Sequence, residues 1–267
     1  MVLKNKVALV TGASRGIGRR IALYLASIGC DIVIADKKLD SWKEFGEKLL
    51  NASSVVEEVE NLGRRCLGLE IDISKKNQVE DLFNKAISMF RKIDILVNNA
   101  GGYIGDIENI WASKVSEEDI RKLIEVNLFG TIFCCQKASF FMKENRYGKI
   151  INISSHAGMH ASSLEGFYAI YGVAKAGVIM YTKYLAQELG PYNINVNSIS
   201  PGYVATERLI KNMYGYGKKR QKYIEQVPLK RLAEPIDIAN VVAFLADDKS
   251  SYINGQNIPI CGGLVNF

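Results

Sequence analysis

The chain has 267 residues, a net charge of +6 and 48% hydrophobic residues. That length fits one large α/β domain, and the composition excludes a disordered or low-complexity chain. So modest a charge argues little for nucleic acid, and no apolar run nears the roughly 18 residues of a membrane span, so neither is expected as a partner. The N-terminus passes from Met-Val-Leu-Lys-Asn-Lys straight into an apolar run, without a signal peptide's longer apolar stretch and cleavage site. This predicts a cytoplasmic protein. Cys30, Cys66, Cys134, Cys135 and Cys261 are odd in number and form no Cys-x-x-Cys, which reads as buried reduced thiols.

Val7 to Val10 predicts a first strand and Ile17 to Ile28 a first helix. Between them stands Thr11-Gly12-Ala13-Ser14-Arg15-Gly16-Ile17-Gly18. Glycine permits a tight turn and lets backbone N–H groups approach a pyrophosphate, and the helix N-terminus adds partial positive charge. The strand before it and the helix after it argue against a plain connection. Gly12, Ser14, Arg15, Gly16, Ile17 and Gly18 are therefore candidate dinucleotide contacts.

Ile32 to Ala35 predicts the second strand. Asp36 follows, 18 residues after Gly18. A carboxylate here accepts hydrogen bonds from the adenosine ribose hydroxyls and repels a 2′-phosphate, which favours NAD over NADP. Lys37 and Lys38 pull the other way, because a lysine can hold that phosphate. A polar-apolar stretch runs from Trp42 to Leu62, and Leu67 to Ile71 predicts the third strand. Asp72, with Ile73 beside it, either bounds the adenine or caps the helix that begins near Lys75. Val79 to Phe90 reads as a helix and Ile93 to Val97 as the fourth strand. Asn98-Asn99-Ala100-Gly101 then offers small and amide residues for close contact with a ribose, or simply a turn.

Glu118 to Met142 reads as one helix, with Asn127 an unusual residue in its apolar middle. Asn127 either holds a water beside Lys175 or bonds a helix carbonyl. Ile150 to Ile153 predicts the fifth strand, ending in Ser154-Ser155. A hydroxyl there can hydrogen-bond a substrate oxygen as charge develops on it, or merely satisfy backbone groups. Tyr171-Gly-Val-Ala-Lys175 opens a helix to Leu189, with both side chains on one face. A free tyrosine, pKa near ~10, is a poor base, and a neighbouring cation stabilises its phenolate. Tyr168 lacks a lysine at i+4. Strands at Val196–Ile199 and Ile258–Ile260, with a helix at Ile236–Ala246, complete the pattern. The fold class is α/β: a Rossmann-type, doubly wound parallel sheet of about seven strands with helices on both faces, binding ligands at the carboxyl ends of its strands.

Taken together these segments resemble the short-chain dehydrogenase/reductase family. The matching signals are Thr11–Gly18, Asp72, Asn98–Gly101, Asn127, Ser154-Ser155, Tyr171–Lys175 and Asn197–Gly202, in the family's order. The resemblance implies a catalytic Asn127–Ser155–Tyr171–Lys175 set, with Tyr171 and Lys175 also touching the cofactor. It places Asn99, Ala100 and Gly101 against the cofactor and Pro201, Gly202 and Val204 along the nicotinamide, with Thr206 near the pyrophosphate. It implies one nicotinamide-binding domain over 1–267 with a lid near 203–232, and a homotetramer. The chemistry expected is hydride transfer between NAD and an alcohol or carbonyl substrate, such as a sugar, polyol or other secondary alcohol. An NADPH-dependent 3-oxoacyl-type ketoreductase is the alternative, and a non-catalytic dinucleotide sensor a remote one.

Two departures from the family pattern stand out. Fifteen residues separate Ser155 from Tyr171, longer than usual, with the excess assigned to the loop His156–Ala169. The segment Lys37 to Gly63 is also lengthened, on the adenosine side. His156 and His160 are spaced i, i+4 but lack a third ligand, so no metal is expected, and His156 reads as a pocket wall. Tyr214 to Tyr223 mixes aromatic and basic residues and reads as part of the solvated lid.

Overall fold

The computed structural model describes residues 3–49, 51–103, 111–161 and 168–265. Seven parallel strands form one sheet: β1 (Val7–Thr11), β2 (Asp31–Asp36), β3 (Cys66–Glu70), β4 (Ile95–Asn98), β5 (Gly148–Ile153), β6 (Ile194–Pro201) and β7 (Asn257–Ile260), in the order β3-β2-β1-β4-β5-β6-β7. The strands alternate by face. Ala8, Val10, Ile32 and Ile34 pack with α1 (Gly16–Ser27), and Val7, Leu9 and Val33 with residues of the opposite helical layer. α3 (Val55–Glu60) and α8 (Pro235–Ala246) share the first layer; α4 (Lys76–Phe90), α6 (Gly130–Asn145) and α7 (Ala169–Leu189) build the second. A sheet buried on both faces needs apolar residues at both parities, which is why its strands read as unbroken apolar runs. The strand order reverses between β1 and β4, and the crevice opens at their carboxyl ends.

Several boundaries differ from expectation. The stretch from Trp42 to Leu62 is two short helices, α2 (Trp42–Phe45) and α3. Gly46, at φ +77°, ends the first in the left-handed region, and Ser54 caps the second by accepting from Glu57 N. β4 begins at Ile95 rather than Ile93, and the Asp94 carboxylate accepts from Val7 N at 2.8 Å. The helix expected from Glu118 to Met142 is α5 (Glu117–Ile124), a π turn (Glu125–Phe129) and α6. There the Asn127 side chain donates to Leu123 O, and Thr131 Oγ1 donates to Asn127 O, so side chains enter the backbone ladder. α7 starts at Ala169, two residues before Tyr171.

The loop His156–Ala169, expected to hold the excess, includes 162–167, which lie outside the described residues, as does the side chain of Tyr214. All five cysteines are buried free thiols, and burial pushes Cys30 and Cys66 up to about 12. No described helix is long and apolar enough to cross a membrane.

Candidate active site

A cleft of about 680 Å³ runs along the carboxyl ends of β1, β2, β4, β5 and β6. At one end lies the glycine turn. Gly12 and Gly16 have φ of +64° and +56°, a region costly to side-chain-bearing residues. A Cβ on Gly12 would come within 2.7 Å of Ala100 Cα, and one on Gly18 would strike the Gly12 carbonyl. The turn is stitched to β4 across the crevice. Thr11 Oγ1 accepts from Asn99 N and Ala100 N at 3.1 and 3.0 Å, and Asn99 Nδ2 donates to Thr11 O and Gly12 O. These bonds use up side chains that would otherwise fill the groove, and leave backbone lining it.

Gly12, Arg15, Gly16, Ile17 and Gly18 line the cleft, followed by Asp36, Asp72, Ile73 and Asn99 to Gly101. Ser14 does not line it. Its N–H donates to Asp36 Oδ2 at 3.0 Å, while its fully buried hydroxyl has no hydrogen-bond partner. A turn of glycines held bare of Cβ atoms at the start of α1 fits a dinucleotide phosphate. Asp72 is not the cap of α4, a position held by Lys75. Its carboxylate accepts from Ser74 N and Oγ and pairs with Lys37 at 3.1 Å. Burial opposes that charge, but the Ser74 and Lys37 bonds outweigh it and hold the carboxyl below its usual range.

At the other end, α7 brings Tyr171 and Lys175 to the cleft wall with the Lys175 Nζ 5.7 Å from the Tyr171 ring centroid. Lys175 is 3% exposed and donates to Ile153 O at 2.8 Å. Burial alone brings its pKa down to about 8. The two serines divide sharply. Ser154 Oγ donates to Lys175 O at 2.9 Å, which ties β5 to α7. Ser155 Oγ accepts from Ala157 N and lies 3.5 Å from His156 Nδ1. That nitrogen is also 3.2 Å from Pro201 O. A carbonyl can only accept, so with Nδ1 protonated His156 donates to Pro201 O and leaves the Ser155 hydroxyl its own proton to donate into the cleft.

Asn127 stands behind the cleft wall. Its amide pairs with the Gly102 peptide, accepting from N at 2.8 Å and donating to O at 2.9 Å, besides its bond to Leu123 O. Of its two expected roles the helix-carbonyl bond is present, and its side chain braces the loop after β4. A Cβ on Gly101 would lie 2.6 Å from Asn127 Oδ1 and 3.6 Å from Lys175 Nζ, so this glycine lets the three groups meet. Pro201, Gly202, Val204 and Thr206 also line the cleft, Thr206 close to the turn, with its Cγ2 3.5 Å from where a Cβ on Gly16 would lie.

Sequence reading missed Arg208 and Tyr103. Arg208 lines the cleft and spans it, donating to Tyr103 O at 2.6 Å. Burial, then repulsion from Arg15, lowers its pKa. Its place just beyond the carboxyl end of β6 was the signal available. Tyr103 and Tyr171 flank Tyr168, each with ring centroids 5.6 Å from it.

Comparison with known proteins agrees with this geometry. A family model described as enoyl-(acyl carrier protein) reductase matches residues 12–265. Cyclohexanol dehydrogenase of Rhodococcus sp. strain TK6 is 40% identical, over 98% of this chain and 97% of its own length. A 3-oxoacyl-(acyl-carrier-protein) reductase of Staphylococcus epidermidis is 38% identical, over 97% of this chain and 99% of its own. The structure of an NAD+-bound xylitol dehydrogenase superposes with a TM-score of 0.84 at 30% identity, over 98% of this chain and 100% of that one. The chain therefore belongs to the short-chain dehydrogenase/reductase family and is a nicotinamide-dependent oxidoreductase acting on CH–OH groups and the corresponding carbonyls.

Proposed function

We propose that the chain is an NAD-preferring dehydrogenase of a sugar, polyol or other secondary alcohol, with Asn127, Ser155, Tyr171 and Lys175 as its catalytic set. The carrying observation is that Tyr171, Lys175 and the Ser155 hydroxyl face the same cleft as the glycine turn. A bound nicotinamide supplies the hydride acceptor for oxidation and the donor for reduction. Tyr171 takes the alcohol proton, Lys175 favours the phenolate, and Ser155 donates to the substrate oxygen as charge develops. Asn127 braces the loop against which Lys175 rests. Gly12, Ser14, Arg15, Gly16, Ile17, Gly18 and Thr206 hold the diphosphate side; Asp36, Asp72 and Ile73 the adenosine; and Asn99 to Gly101, Tyr171, Lys175, Pro201, Gly202 and Val204 the nicotinamide half. One domain over 1–267 carries both halves, with 203–232 as lid.

The NAD preference rests on Asp36. Its carboxylate stands at the cleft against the turn, and both neighbouring lysines are engaged, Lys37 with Asp72 and Lys38 with Glu44. Those exposed pairs are weak and do not disable the lysines, so the preference rests on the Asp36 carboxylate alone. Asp36→Ala should improve NADP binding relative to NAD about tenfold, read by fluorescence titration of both cofactors. Tighter NADP binding by the unmodified protein would overturn the assignment.

The 38% relative favours a second reading, an NADPH-dependent ketoreductase of acyl-carrier-linked substrates. Assaying alcohols and sugars with NAD against a 3-oxoacyl thioester with NADPH separates the two. Faster turnover of the thioester would establish the second.

The large exposed apolar side chains Phe129, Phe140, Val173, Met180 and Tyr184 lie on the π turn, α6 and α7. We infer that these helices pair between copies in a homotetramer. It would act in the cytoplasm, where free thiols stay reduced. Light scattering should give four times the chain mass at micromolar concentration, and a monomer mass would defeat the proposal.

A further inference from the structure

One charge on the cleft wall has no counterpart. Arg208 is half-buried just past β6, and its Nη2 donates to Tyr103 O at 2.6 Å. That is the one bond its side chain makes among the described residues, so most of its five N–H donors have no protein acceptor. Arg19 and Arg64, also half-buried, are each matched by carboxylates: Arg19 by Glu47 and Glu58, Arg64 by Asp31. No described carboxylate pairs with Arg208. Burial, then Arg15, work against its charge. The loop after β4 carries this cation to the chemical end of the cleft. Asn99 and Ala100 are bonded to the glycine turn, and Gly101 lies against Lys175 Nζ. Gly102 and Tyr103 then meet Arg208. A Cβ on Gly102, which has φ +128°, would lie 3.1 Å from Arg208 Nη1, so glycine makes room for the guanidinium. The Tyr103 ring packs on Tyr168 and Tyr168 on Tyr171. Arg208 therefore borders the part of the loop past Lys175, beside the proton-moving tyrosine, rather than the part held to the turn.

We propose that Arg208 binds a carboxylate of the substrate, so that the secondary alcohol this chain oxidises is a hydroxy acid or sugar acid. This rests on the reading of the cleft as a dehydrogenase site. A guanidinium meets a carboxylate with two parallel N–H bonds, and one such group balances its single charge. A half-buried cation without a counter-ion gains most from an anion, because the cost of its burial is already met by the fold. The carboxylate takes no part in the transfer. The carbinol C–H gives its hydride to the nicotinamide, the O–H gives its proton to Tyr171, and the acid leaves as a keto acid with its carboxylate unchanged. The rival anion is the cofactor diphosphate, since Arg15 is close enough to repel Arg208. The bond to Tyr103 O and the contact with Gly102 favour the substrate.

Hydroxy acids of three to six carbons, each assayed against its primary amide, test this. The unmodified protein should oxidise at least one acid about tenfold or more faster than its amide, in kcat/KM. Arg208→Met should lower kcat/KM for that acid about 10–100-fold, mostly through KM, and leave the amide within about threefold. Arg208→Lys, which keeps the charge and loses the fork, should recover part of the loss. NAD affinity should change less than about threefold in both variants. Equal rates for acid and amide in the unmodified protein would overturn the proposal. An equal fall for both substrates would show that Arg208 only holds Tyr103 in place, and a fall in NAD affinity that the diphosphate owns the guanidinium; either result also overturns it. Calorimetric titration of the NAD-loaded protein with the matching acid that lacks the hydroxyl reads the site without turnover. Its Kd should rise about tenfold in Arg208→Met. If no alcohol, acid or amide is oxidised and that binding difference is still seen, the dehydrogenase reading falls and the carboxylate site stands. If alcohols are oxidised and the difference is missing, this inference alone falls.

Discussion

Tyr171→Phe should bind NAD as the unmodified protein does and lose about 10²–10⁴-fold in turnover, whereas Tyr168→Phe should stay within a few-fold. The phenylalanine keeps the ring that packs against Tyr168 and removes only the hydroxyl that moves the proton. Tyr168 sits at the cap of α7, with its ring between Tyr103 and Tyr171, and Lys175 is one helical turn from Tyr171, not from it. Oxidation by the unmodified enzyme should rise with pH to a plateau, with an apparent pKa well below the free phenol's ~10, because cations favour the phenolate. Ser155→Ala should lower turnover with little change in NAD affinity. Ser154→Ala should act on stability, since its hydroxyl is spent on Lys175 O. Steady-state rates and cofactor titrations of the four variants decide the register. Loss of turnover in Tyr168→Phe, with Tyr171→Phe near normal, would place the active site on the wrong tyrosine.

Lys175→Met should lose about 10²–10³-fold in turnover and yet stabilise the cofactor-free protein by about 2 kcal/mol at pH 7. Burial lowers the Lys175 pKa from the ordinary 10.5 to about 8. Between those values the folded chain binds fewer protons than the unfolded chain, so stability rises with pH across that window. At and below pH 8 the cost of the buried ammonium is present in full, about 3 kcal/mol. Methionine removes it, and gives back about 1 kcal/mol by leaving Ile153 O without its donor. The stability gap between the two proteins should therefore narrow above pH 8 and reverse by pH 10.5, where the lost bond to Ile153 O outweighs what is left of the ammonium cost. Denaturant unfolding at pH 7 and pH 10 checks this. An unmodified protein more stable than the variant at pH 7 would show that the ammonium is already compensated by the fold. The catalytic loss has the opposite origin: the same uncompensated charge is what the phenolate of Tyr171 would find beside it.

The sequence by itself determined the sheet, the glycine turn and the Tyr171–Lys175 pair, because each is written in short-range spacing. Strands buried on both faces appear as apolar runs, and Gly12, Gly16 and Gly18 are needed by backbone conformation or close approach within their own turn. Asp36 follows from the end of its strand, and Lys175 from one turn of helix after Tyr171. Only the tertiary structure decided what depends on partners far along the chain. The proposed preference for Ser155 over Ser154 rests on the bond from Ser154 to the carbonyl of Lys175, 21 residues away. The contact that holds Asn127 is with a Gly102 peptide 25 residues before it, and the π turn around it has no residue pattern that sets it apart from α-helix. Arg208 meets Tyr103 across 105 residues, and Glu47 meets Gly16 across 31. Such bonds carry no local periodicity, because their geometry is set by how strands and loops pack rather than by the conformation of any one segment.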